Sequence, residues 1–303
     1  MRKHIYITID TEMDADIHWK KRWPPEYSSV LDGIPNLLRP IWDKYDVHPV
    51  YFVSPEILYD EECCIILKKE IEKGAIIGAH LHSEYIEPES SWGTGKRVYP
   101  VPFPCYGFDT ETEKQKIINL TNLIEDKLGV KPVWYRAARF GADIDTIKIL
   151  KELGYRYDSS ITPNVNWKSK GGPDHSKGKI KPYVISKDNY YRGESINNPE
   201  ETNTDNIIEL PVTILGKRWG IIGKLLPDKW LLYRWLRPTH MTYIEMKHII
   251  NKVKEQQTLV MMFHSMEVMV SKTPYVRWRW MQKYYLFRLE KIIQYAKKMG
   301  YSF

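Results

Sequence analysis

The sequence predicts an α/β fold in which a parallel sheet curls into a barrel, with a functional site at the carboxyl ends of the strands. Short apolar, β-branched runs alternate with longer segments of helical periodicity along most of the chain. Ionisable residues follow several of those runs directly, at the point where each strand would end. Neither an internal repeat nor a linker divides the 303 residues, so we expect a single domain over residues 1–303.

The composition is that of a soluble globular protein. Hydrophobic residues make up 43% of the chain and charged residues 27%. The sequence has no apolar run of about 18 residues, which a membrane-spanning helix needs, and no apolar segment of a secretory signal follows its charged start. The three cysteines, Cys63, Cys64 and Cys105, are odd in number and two are adjacent, so a disulfide framework is not expected. These features favour a cytoplasmic protein.

The formal net charge of +7 is compatible with nucleic acid, an anionic membrane surface or a phosphorylated substrate as partner. The sequence contains no basic-aromatic motif of a known nucleic-acid-binding type, so we expect no nucleic acid. Residues 214–237 mix Leu, Ile and Trp with Lys and Arg, which is typical either of an amphipathic element at a membrane face or of an irregular cover on the barrel. We therefore expect at most peripheral membrane contact.

The first strand is predicted over residues 4–12, where apolar and β-branched residues alternate with little interruption. This strand runs directly into Asp10 and Glu12. Because side chains two residues apart on an extended chain face the same side, both carboxylates are expected to share one face. Paired acids at a strand end are typical of a metal ligand or a general base. The alternative is a solvated acidic turn, since Asp14 and Asp16 follow.

The remaining elements follow in an alternating order. Predicted helices begin near residue 28 or 29 and cover about 30–41, 60–73, 110–128, 143–153, 242–256 and 278–298. Predicted strands lie at 48–53, 75–82, 132–136, 154–160, 207–212 and 258–264, with a short one near Tyr183. Long loops are expected near 86–109 and 162–240, where Pro, Gly, Ser and Asn are frequent and periodicity is weak.

The predicted strand at 75–82 ends in His80-x-His82, with Glu84 at the same parity. Two imidazoles two residues apart on a strand face the same way, which is a workable arrangement for metal ligands. The alternative is a pair of polar side chains where a strand leaves the core. A nearly all-apolar strand at 258–263 likewise runs into His264. Because the carboxyl ends of parallel strands meet at one face, we expect these imidazoles to converge with the carboxylates of the first strand.

The order of the motifs resembles that of the NodB-homology polysaccharide deacetylases, carbohydrate esterase family 4. The first and second motifs of that family, Thr-Phe-Asp-Asp-Gly and His-x-x-x-His after Ile-Gly, are similar to residues 8–12 and 77–82. The third, fourth and fifth are similar to residues 135–141, to 154–155 with Asp158, and to 262–264. The resemblance spans almost the whole chain and implies a distorted (β/α)7-type barrel, the NodB-homology fold.

Three departures from the family pattern bear on the site. Thr11 stands where the family has its second acid, which is a metal ligand. The resemblance implies that Glu12 takes the place of that acid, in an acid-x-acid pattern with Asp10. The second His of the family motif would fall at Glu84, so the ligand is either His82 or Glu84. The third motif lacks both of its prolines. The pattern is similar to a divergent branch associated with surface-polysaccharide biosynthesis.

The resemblance implies a metal-dependent hydrolase that removes an acetyl group from an N-acetylated sugar. The substrate would be a sugar or glycan intermediate, with a nucleotide or lipid carrier as one form. The implied cofactor is a divalent ion, zinc first with cobalt or nickel as alternatives. Its implied ligands are Glu12, His80 and His82.

The resemblance also implies roles for four further residues. Asp10 would be the general base and His264 the general acid, while Arg136 would hold Asp10 in a bidentate pair and Asp158 would orient His264. The structural alternatives are a buried ion pair for Arg136 and a core histidine for His264. Two other functions stay open: hydrolysis of a different C–N bond on the same fold, and a carbohydrate-binding or scaffold barrel without activity.

Overall fold

The computed structural model describes residues 3–94, 108–218 and 233–303. Ten strands of the described chain form one curled sheet, and two more form a separate antiparallel pair. The main sheet contains β1 (Lys3–Thr11), β2 (Val50–Val53), β3 (Ile76–Leu81), β4 (Trp134–Ala137), β5 (Tyr157–Asp158), β6 (Tyr183–Ile185), β7 (Gly193–Ser195), β8 (Ile208–Glu209), β11 (Thr258–His264) and β12 (Tyr301–Ser302). The separate pair is β9 (Ile214–Lys217) and β10 (Tyr233–Trp235).

The longer helices of the described chain lie where the periodicity predicts them, and the four-residue helix at Pro55–Leu58 was not predicted. A π-helical stretch, Ser29–Leu38, contains Pro35 and continues into the first α-helix, so the proline does not end this segment. The α-helices are α1 (Arg39–Tyr45), α2 (Pro55–Leu58), α3 (Glu61–Glu72), α4 (Thr110–Leu128), α5 (Ile144–Glu152), α6 (Tyr243–Lys252) and α7 (Arg279–Lys298). Side-chain N-caps begin four of them, as the sequence signals for helix starts require.

Seven parallel strands form the barrel wall in the order β11-β1-β2-β3-β4-β5-β8, which confirms the predicted distorted (β/α)7-type barrel. The ring closes through Thr213, just after β8. Its backbone N–H donates to Val260 O at 3.0 Å, and its Oγ1 accepts from Val260 N at 2.9 Å. In a regular barrel a full ladder of hydrogen bonds would join the last strand to the first. Here two hydrogen bonds made by Thr213 join the end of β8 to β11.

Alternation along the strands separates the inside of the barrel from its outside. Even-numbered β1 residues face inward: Tyr6 joins an apolar cluster inside the barrel, with Phe52, Trp134 and Val260 among its members. Odd-numbered β1 residues, such as Ile7, belong to the larger core between the sheet and the helices. At the carboxyl ends of the strands, the pairings place inward-facing residues next to one another: Asp10 pairs with His264, and His80 pairs with Arg136.

The segment predicted as a loop over 162–240 contains short strands. The strand near Tyr183 is present as β6, and β7, β9 and β10 were not predicted because strands of three or four residues carry little periodicity. Residues 95–107, which include Cys105, and residues 219–232 of the basic segment lie outside the described residues. No helix in the described part of the chain is long and apolar enough to cross a membrane. The single domain over residues 1–303 stays a prediction.

Candidate metal and acid–base site

Asp10 and Glu12 lie at the carboxyl end of β1 and face the same mouth of the barrel. Asp10 Oδ2 is 4.0 Å and Glu12 Oε1 is 3.7 Å from Nε2 of His264, and both carboxylates are buried. The side chain of Thr11 turns the other way, and its hydroxyl donates to Ile9 O at 3.1 Å. The two-residue spacing therefore brings both acids to one place, while Thr11 is outside the site.

His80 and His82 bring two imidazoles from the end of β3 to Glu12. The distances from Glu12 Oε1 are 3.3 Å to His80 Nε2 and 3.2 Å to His82 Nε2. His80 Nδ1 lies 2.8 Å from the backbone carbonyl of Arg136. Because a carbonyl can only accept, Nδ1 carries the hydrogen and the lone pair of the neutral ring is on Nε2. His80 therefore presents a ligand atom to the site.

Glu84 supports His82 from behind, on the side away from Glu12. Its Oε1 lies 3.3 Å from His82 Nδ1, and both of its oxygens accept from Arg139, at 3.3 and 3.2 Å. Burial alone would raise the pKa of Glu84, but His82 and Arg139 hold it below its usual range. Since Glu84 is committed to these partners, the geometry favours His82 as the metal ligand and Glu84 as the group that orients it.

Glu12, His80 and His82 form a group whose ligand atoms all lie within 4.8 Å of one another. His82 Nε2 is buried, and although Glu12 Oε1 is 3.2 Å away the two atoms are not aligned for a hydrogen bond. Burial would lower the pKa of His82, yet the Glu12 carboxylate raises it to about 9, because this carboxylate stabilises positive charge next to it. Two imidazole nitrogens and a carboxylate are the donors that a divalent first-row ion accepts, so the residues fit such an ion.

Asp10, Glu12 and His264 form a second group that meets the same distance criterion and shares Glu12 with the first. In this second group, however, Asp10 and His264 already have other partners. Arg136 donates to Asp10, and Glu267 accepts from the ring of His264. The first group is therefore the better candidate for the ion, and the second lies beside it.

Lys21 reaches the site from the loop after β1. Its Nζ lies 2.8 Å from Glu12 Oε2 and 3.4 Å from Oε1 of the fully buried Glu56. Burial would raise the pKa of Glu12, but Lys21 and His82 hold it well below its usual range. Lys21 thereby occupies one oxygen of Glu12 and leaves the other directed at the imidazoles.

Arg136, at the end of β4, is fully buried inside the barrel and holds Asp10. Its Nη1 donates to Asp10 Oδ1 at 2.6 Å, while its other nitrogens donate to Thr8 Oγ1 and to both oxygens of Ser159. The pair uses one oxygen of Asp10, whereas a bidentate pair was expected from the sequence. Burial would raise the pKa of Asp10, but Arg136, with His80 and His264, lowers it. Oδ2 remains directed at His264.

His264, the last residue of β11, is held by Glu267 one turn later. Its Nδ1 lies 2.8 Å from Glu267 Oε1, and the backbone N–H of His264 donates to the same oxygen at 3.2 Å. Arg237 and Thr239 also donate to the Glu267 carboxylate. Burial would raise the pKa of Glu267, but Arg237 and His264 lower it, so the carboxylate is charged. Nε2 points between the two carboxylates of β1.

Asp158 does not orient His264, which corrects the expectation from the sequence. Its Oδ2 accepts from Tyr190 Oη and its Oδ1 from Ser160 Oγ, both at 2.6 Å. Successive strand residues face opposite sides, and Ser159 is the one that faces inward to Arg136. Asp158 therefore lies on the outer face of the barrel, where burial raises its pKa.

Four aromatic side chains, here called the aromatic wall, adjoin the imidazole side of the site. The Tyr85 ring stacks on His82 with centroids 5.9 Å apart, and Trp92 lies 5.6 Å from Tyr85. Trp23 and Tyr59 each lie 5.2 Å from Trp92. Trp23 and Tyr59 are both exposed, so the wall leads from the buried site towards solvent.

Four charged residues of the site were not singled out as site residues from the sequence. Lys21, Arg139 and Arg237 come from loops whose path the local pattern does not determine. Glu267 carried a usable signal, because it follows His264 by three residues and a turn of helix brings such residues together. Arg139 and the next residue, Phe140, both adopt a left-handed conformation, with φ of 56° and 61°. This rare backbone geometry places the Arg139 side chain against Glu84.

The chain has the fold of the NodB-homology polysaccharide deacetylases. No protein-family model matches its sequence, and neither does any curated protein. Among solved structures, a protein from Mycobacterium smegmatis provisionally described as a polysaccharide deacetylase superposes with a TM-score of 0.52 at 16% identity. The match covers 99% of this chain and 87% of that one. At 16% identity this likeness establishes the fold but not the activity, which has to be inferred from the residues of the site.

Two further likenesses are weaker. A family 4 carbohydrate esterase from Streptomyces lividans in complex with acetate has a TM-score of 0.44 at 9% identity, over 99% of this chain and 90% of that one. A family 4 pseudoenzyme from Bacillus anthracis has a TM-score of 0.47 at 10% identity, over 99% of this chain and 63% of that one. Because both TM-scores are below 0.5, neither structure supports an inference about this chain.

Proposed function

We propose that this protein is a metal-dependent N-deacetylase that hydrolyses the acetamide C–N bond of an N-acetylated sugar. One observation carries the proposal: three candidate ligand atoms, from Glu12, His80 and His82, converge next to Asp10 and His264 at one mouth of the barrel. A ligand set beside a separate carboxylate and imidazole is the arrangement that metal-assisted amide hydrolysis needs.

The proposed cofactor is a divalent ion held by Glu12 Oε1 and by Nε2 of His80 and His82. The mixed imidazole and carboxylate donors suit zinc first, with cobalt and nickel as alternatives. When bound, such an ion would supply Lewis acidity, which polarises the acetyl carbonyl and eases the deprotonation of water. Lys21 and Glu84 keep these donors in place from behind.

The proposed general base is Asp10, acting through Oδ2. Arg136 holds Oδ1 at 2.6 Å and lowers the pKa of the carboxyl group, so the base is ionised before reaction. Oδ2 lies on the open side of the carboxylate and can take a proton from water. The role of Arg136 is to orient Asp10, which fixes the direction of that proton transfer.

The proposed general acid is His264, acting through Nε2. Nδ1 lies 2.8 Å from the Glu267 carboxylate, which can only accept, and Arg237 Nη2 lies 3.0 Å from the same nitrogen. In this proposal Nδ1 carries a hydrogen towards Glu267, and Nε2 is directed into the site between Asp10 and Glu12. Nε2 can give a proton to the amine nitrogen as the C–N bond breaks. In this proposal Glu267 orients His264, a role that was expected of Asp158 from the sequence.

The proposed substrate is an N-acetylated sugar or glycan intermediate in surface-polysaccharide biosynthesis. The aromatic wall supports a sugar, because aromatic faces pack against the C–H groups of pyranose rings. The net charge of +7 is compatible with a nucleotide- or lipid-linked substrate that carries phosphate. We propose a cytoplasmic location, which the two adjacent buried thiols Cys63 and Cys64 support.

A barrel that binds glycans without activity is the second candidate, and Thr11 favours it. This residue stands where the resemblance expects a ligand acid, and its side chain turns away from the site. The two candidates differ in whether acetate is released. The test is to incubate the zinc-loaded protein with N-acetylated sugar nucleotides and chito-oligosaccharides and to measure free acetate. Acetate release that Asp10→Asn abolishes supports the enzyme; glycan binding without acetate release supports the second candidate.

A further inference from the structure

The exposed face of α7 carries three large aromatic side chains in a row. Trp280, Tyr284 and Phe287 follow the i, i+4, i+7 spacing that places residues on one side of a helix. Their exposed fractions are 65%, 44% and 50%, and Trp278, just before the helix, is 63% exposed. These four residues form the aromatic row. Large exposed side chains are common singly, but a contiguous group of them marks an interaction surface.

Basic side chains accompany the aromatic row. Lys291 continues the same face one turn after Phe287, and its Nζ lies 5.7 Å from the centroid of that ring. Arg288 lies with its guanidinium carbon 4.5 Å from the ring of Tyr284. Exposed basic residues at the start of α7 or just before it are Arg277, Arg279 and Lys283.

Acidic side chains are missing from this face of α7. The helix contains a single acid, Glu290, which lies on the flank that also carries Lys283, seven residues earlier. Lys44 Nζ donates to Glu290 at 2.6 Å and Tyr45 Oη donates to it at 3.0 Å, so this carboxylate is directed towards α1. Within α7, the charged side chains next to the aromatic row are therefore basic.

The aromatic row begins close to the mouth of the barrel. Tyr275 precedes Trp278 by three residues, a separation of at most about 11 Å along the chain. The ring of Tyr275 lies 5.5 Å from Trp19, which in turn lies 5.4 Å from His264. The row and the site thus share one end of the molecule.

We propose that the aromatic row and its basic neighbours bind the surface of an anionic lipid membrane. Trp and Tyr favour the interface between lipid and water, where an apolar ring and a polar edge are both accommodated. Lys and Arg next to them attract the phosphates of anionic headgroups. A second copy of the chain is a poorer occupant, because a two-fold interface would place this cationic face against itself. The proposal is independent of the deacetylase activity.

The test is co-flotation of the full-length protein with lipid vesicles. Vesicles of phosphatidylcholine with about 30% phosphatidylglycerol are compared with vesicles of phosphatidylcholine alone. We expect binding to the anionic vesicles that weakens as salt is raised. The paired change Trp280→Ala with Phe287→Ala, and separately Lys283→Glu with Lys291→Glu, should each lower the vesicle affinity at least about tenfold.

The matched control lies on α3, where Ile65 is 52% exposed and Lys68 is an exposed lysine. Ile65→Ala with Lys68→Glu should leave vesicle binding unchanged, and thermal unfolding checks that each variant is folded. Equal binding to both vesicle types, no binding to either, or α7 variants that bind like the wild type would each overturn the proposal. So would a stable dimer in light scattering that the α7 substitutions dissociate. Acetate release is measured on the same samples without vesicles, so failure of the proposed activity is seen separately.

Discussion

His80 donates its Nδ1–H to the backbone carbonyl of Arg136 at 2.8 Å, and this bond determines which end of the imidazole faces the site. The two residues are direct partners in the pairing of β3 with β4. Because the carbonyl accepts, the lone pair of the neutral ring lies on Nε2, 3.3 Å from Glu12 Oε1. The sheet register thus sets the tautomer of a candidate metal ligand.

Removal of either candidate imidazole ligand should remove the ion. We expect His80→Ala and His82→Ala each to lower the zinc affinity by more than about a hundredfold, because each deletes a donor. Glu84→Gln should lower it only about 10–100-fold, as is typical of a group that orients a ligand. Chelator competition and metal analysis of the purified proteins measure these effects.

The control for the metal prediction is His48→Ala, a histidine whose side chain is 47% exposed and outside the site. We expect unchanged zinc affinity for this variant. Full zinc content in the His82→Ala protein together with complete loss in Glu84→Gln would exchange the roles given to these two residues.

Asp10→Asn should lower turnover strongly while the ion stays bound. We expect kcat to fall by about 10²–10⁴, the usual effect of removing a general base. Zinc content should stay at the wild-type level, because the proposed ligand group does not include Asp10. The variant should also unfold at a lower temperature, since Arg136 loses its buried counter-charge. An active Asp10→Asn protein would remove Asp10 from the role of base.

Glu267→Gln should affect His264 more than Asp158→Asn does. Glu267 accepts from His264 Nδ1 at 2.8 Å, whereas Asp158 bonds to Tyr190 and Ser160 on the outer face. We expect Glu267→Gln to lower kcat at least about tenfold, because the ring of His264 loses the charged acceptor that orients it. Asp158→Asn should leave kcat unchanged. A loss of kcat with Asp158→Asn and none with Glu267→Gln would restore the assignment made from the sequence.

Glu113, on α4, should make the free energy of unfolding depend on pH. Burial raises its pKa to about 7, with Asp143 and Asp145 adding to the shift and a hydrogen bond from Thr146 opposing it. A glutamate in the unfolded chain titrates near 4.3, so between these pH values the folded state binds a proton that the unfolded state does not. Stability contributed by this group is therefore present at low pH and is lost as pH rises to about 7.

Glu113→Gln mimics the protonated form and should remove this loss. We expect the variant to be more stable than the wild type by about 1–3 kcal/mol at pH 8, with the difference shrinking below about pH 5. Urea unfolding at several pH values measures it. Glu125→Gln, at an exposed position of the same helix, is the control and should leave the profile unchanged. A pH-independent difference would show that Glu113 does not titrate as described.

The sequence predicted the barrel and the groups at the ends of its long strands, because alternation and strand ends are local features. Asp10, Glu12, His80 and His264 lie together for this reason. Asp158 was assigned to the wrong face because β5 has only two residues, Tyr157 and Asp158, too few to show which parity faces inward.

The loop residues of the site could not be predicted, because their positions depend on the tertiary path of the chain. Lys21 lies nine residues beyond Glu12 in sequence and returns to it across a loop, and Arg237 approaches Glu267 from 30 residues away. Patterns with periods of two or 3.6 residues carry no information on such contacts. Among the four charged residues that were missed, Glu267 alone has a spacing to a predicted site residue, His264, that local geometry explains.

Glu12, His80 and His82 are proposed to bind one ion, and anomalous diffraction at the zinc absorption edge would locate that ion. In crystals of the zinc-loaded protein we expect one strong peak about 2.0–2.2 Å from Glu12 Oε1 and from Nε2 of both His80 and His82. A peak bound elsewhere, or no peak at these three side chains in zinc-saturated crystals, would rule out this ligand set.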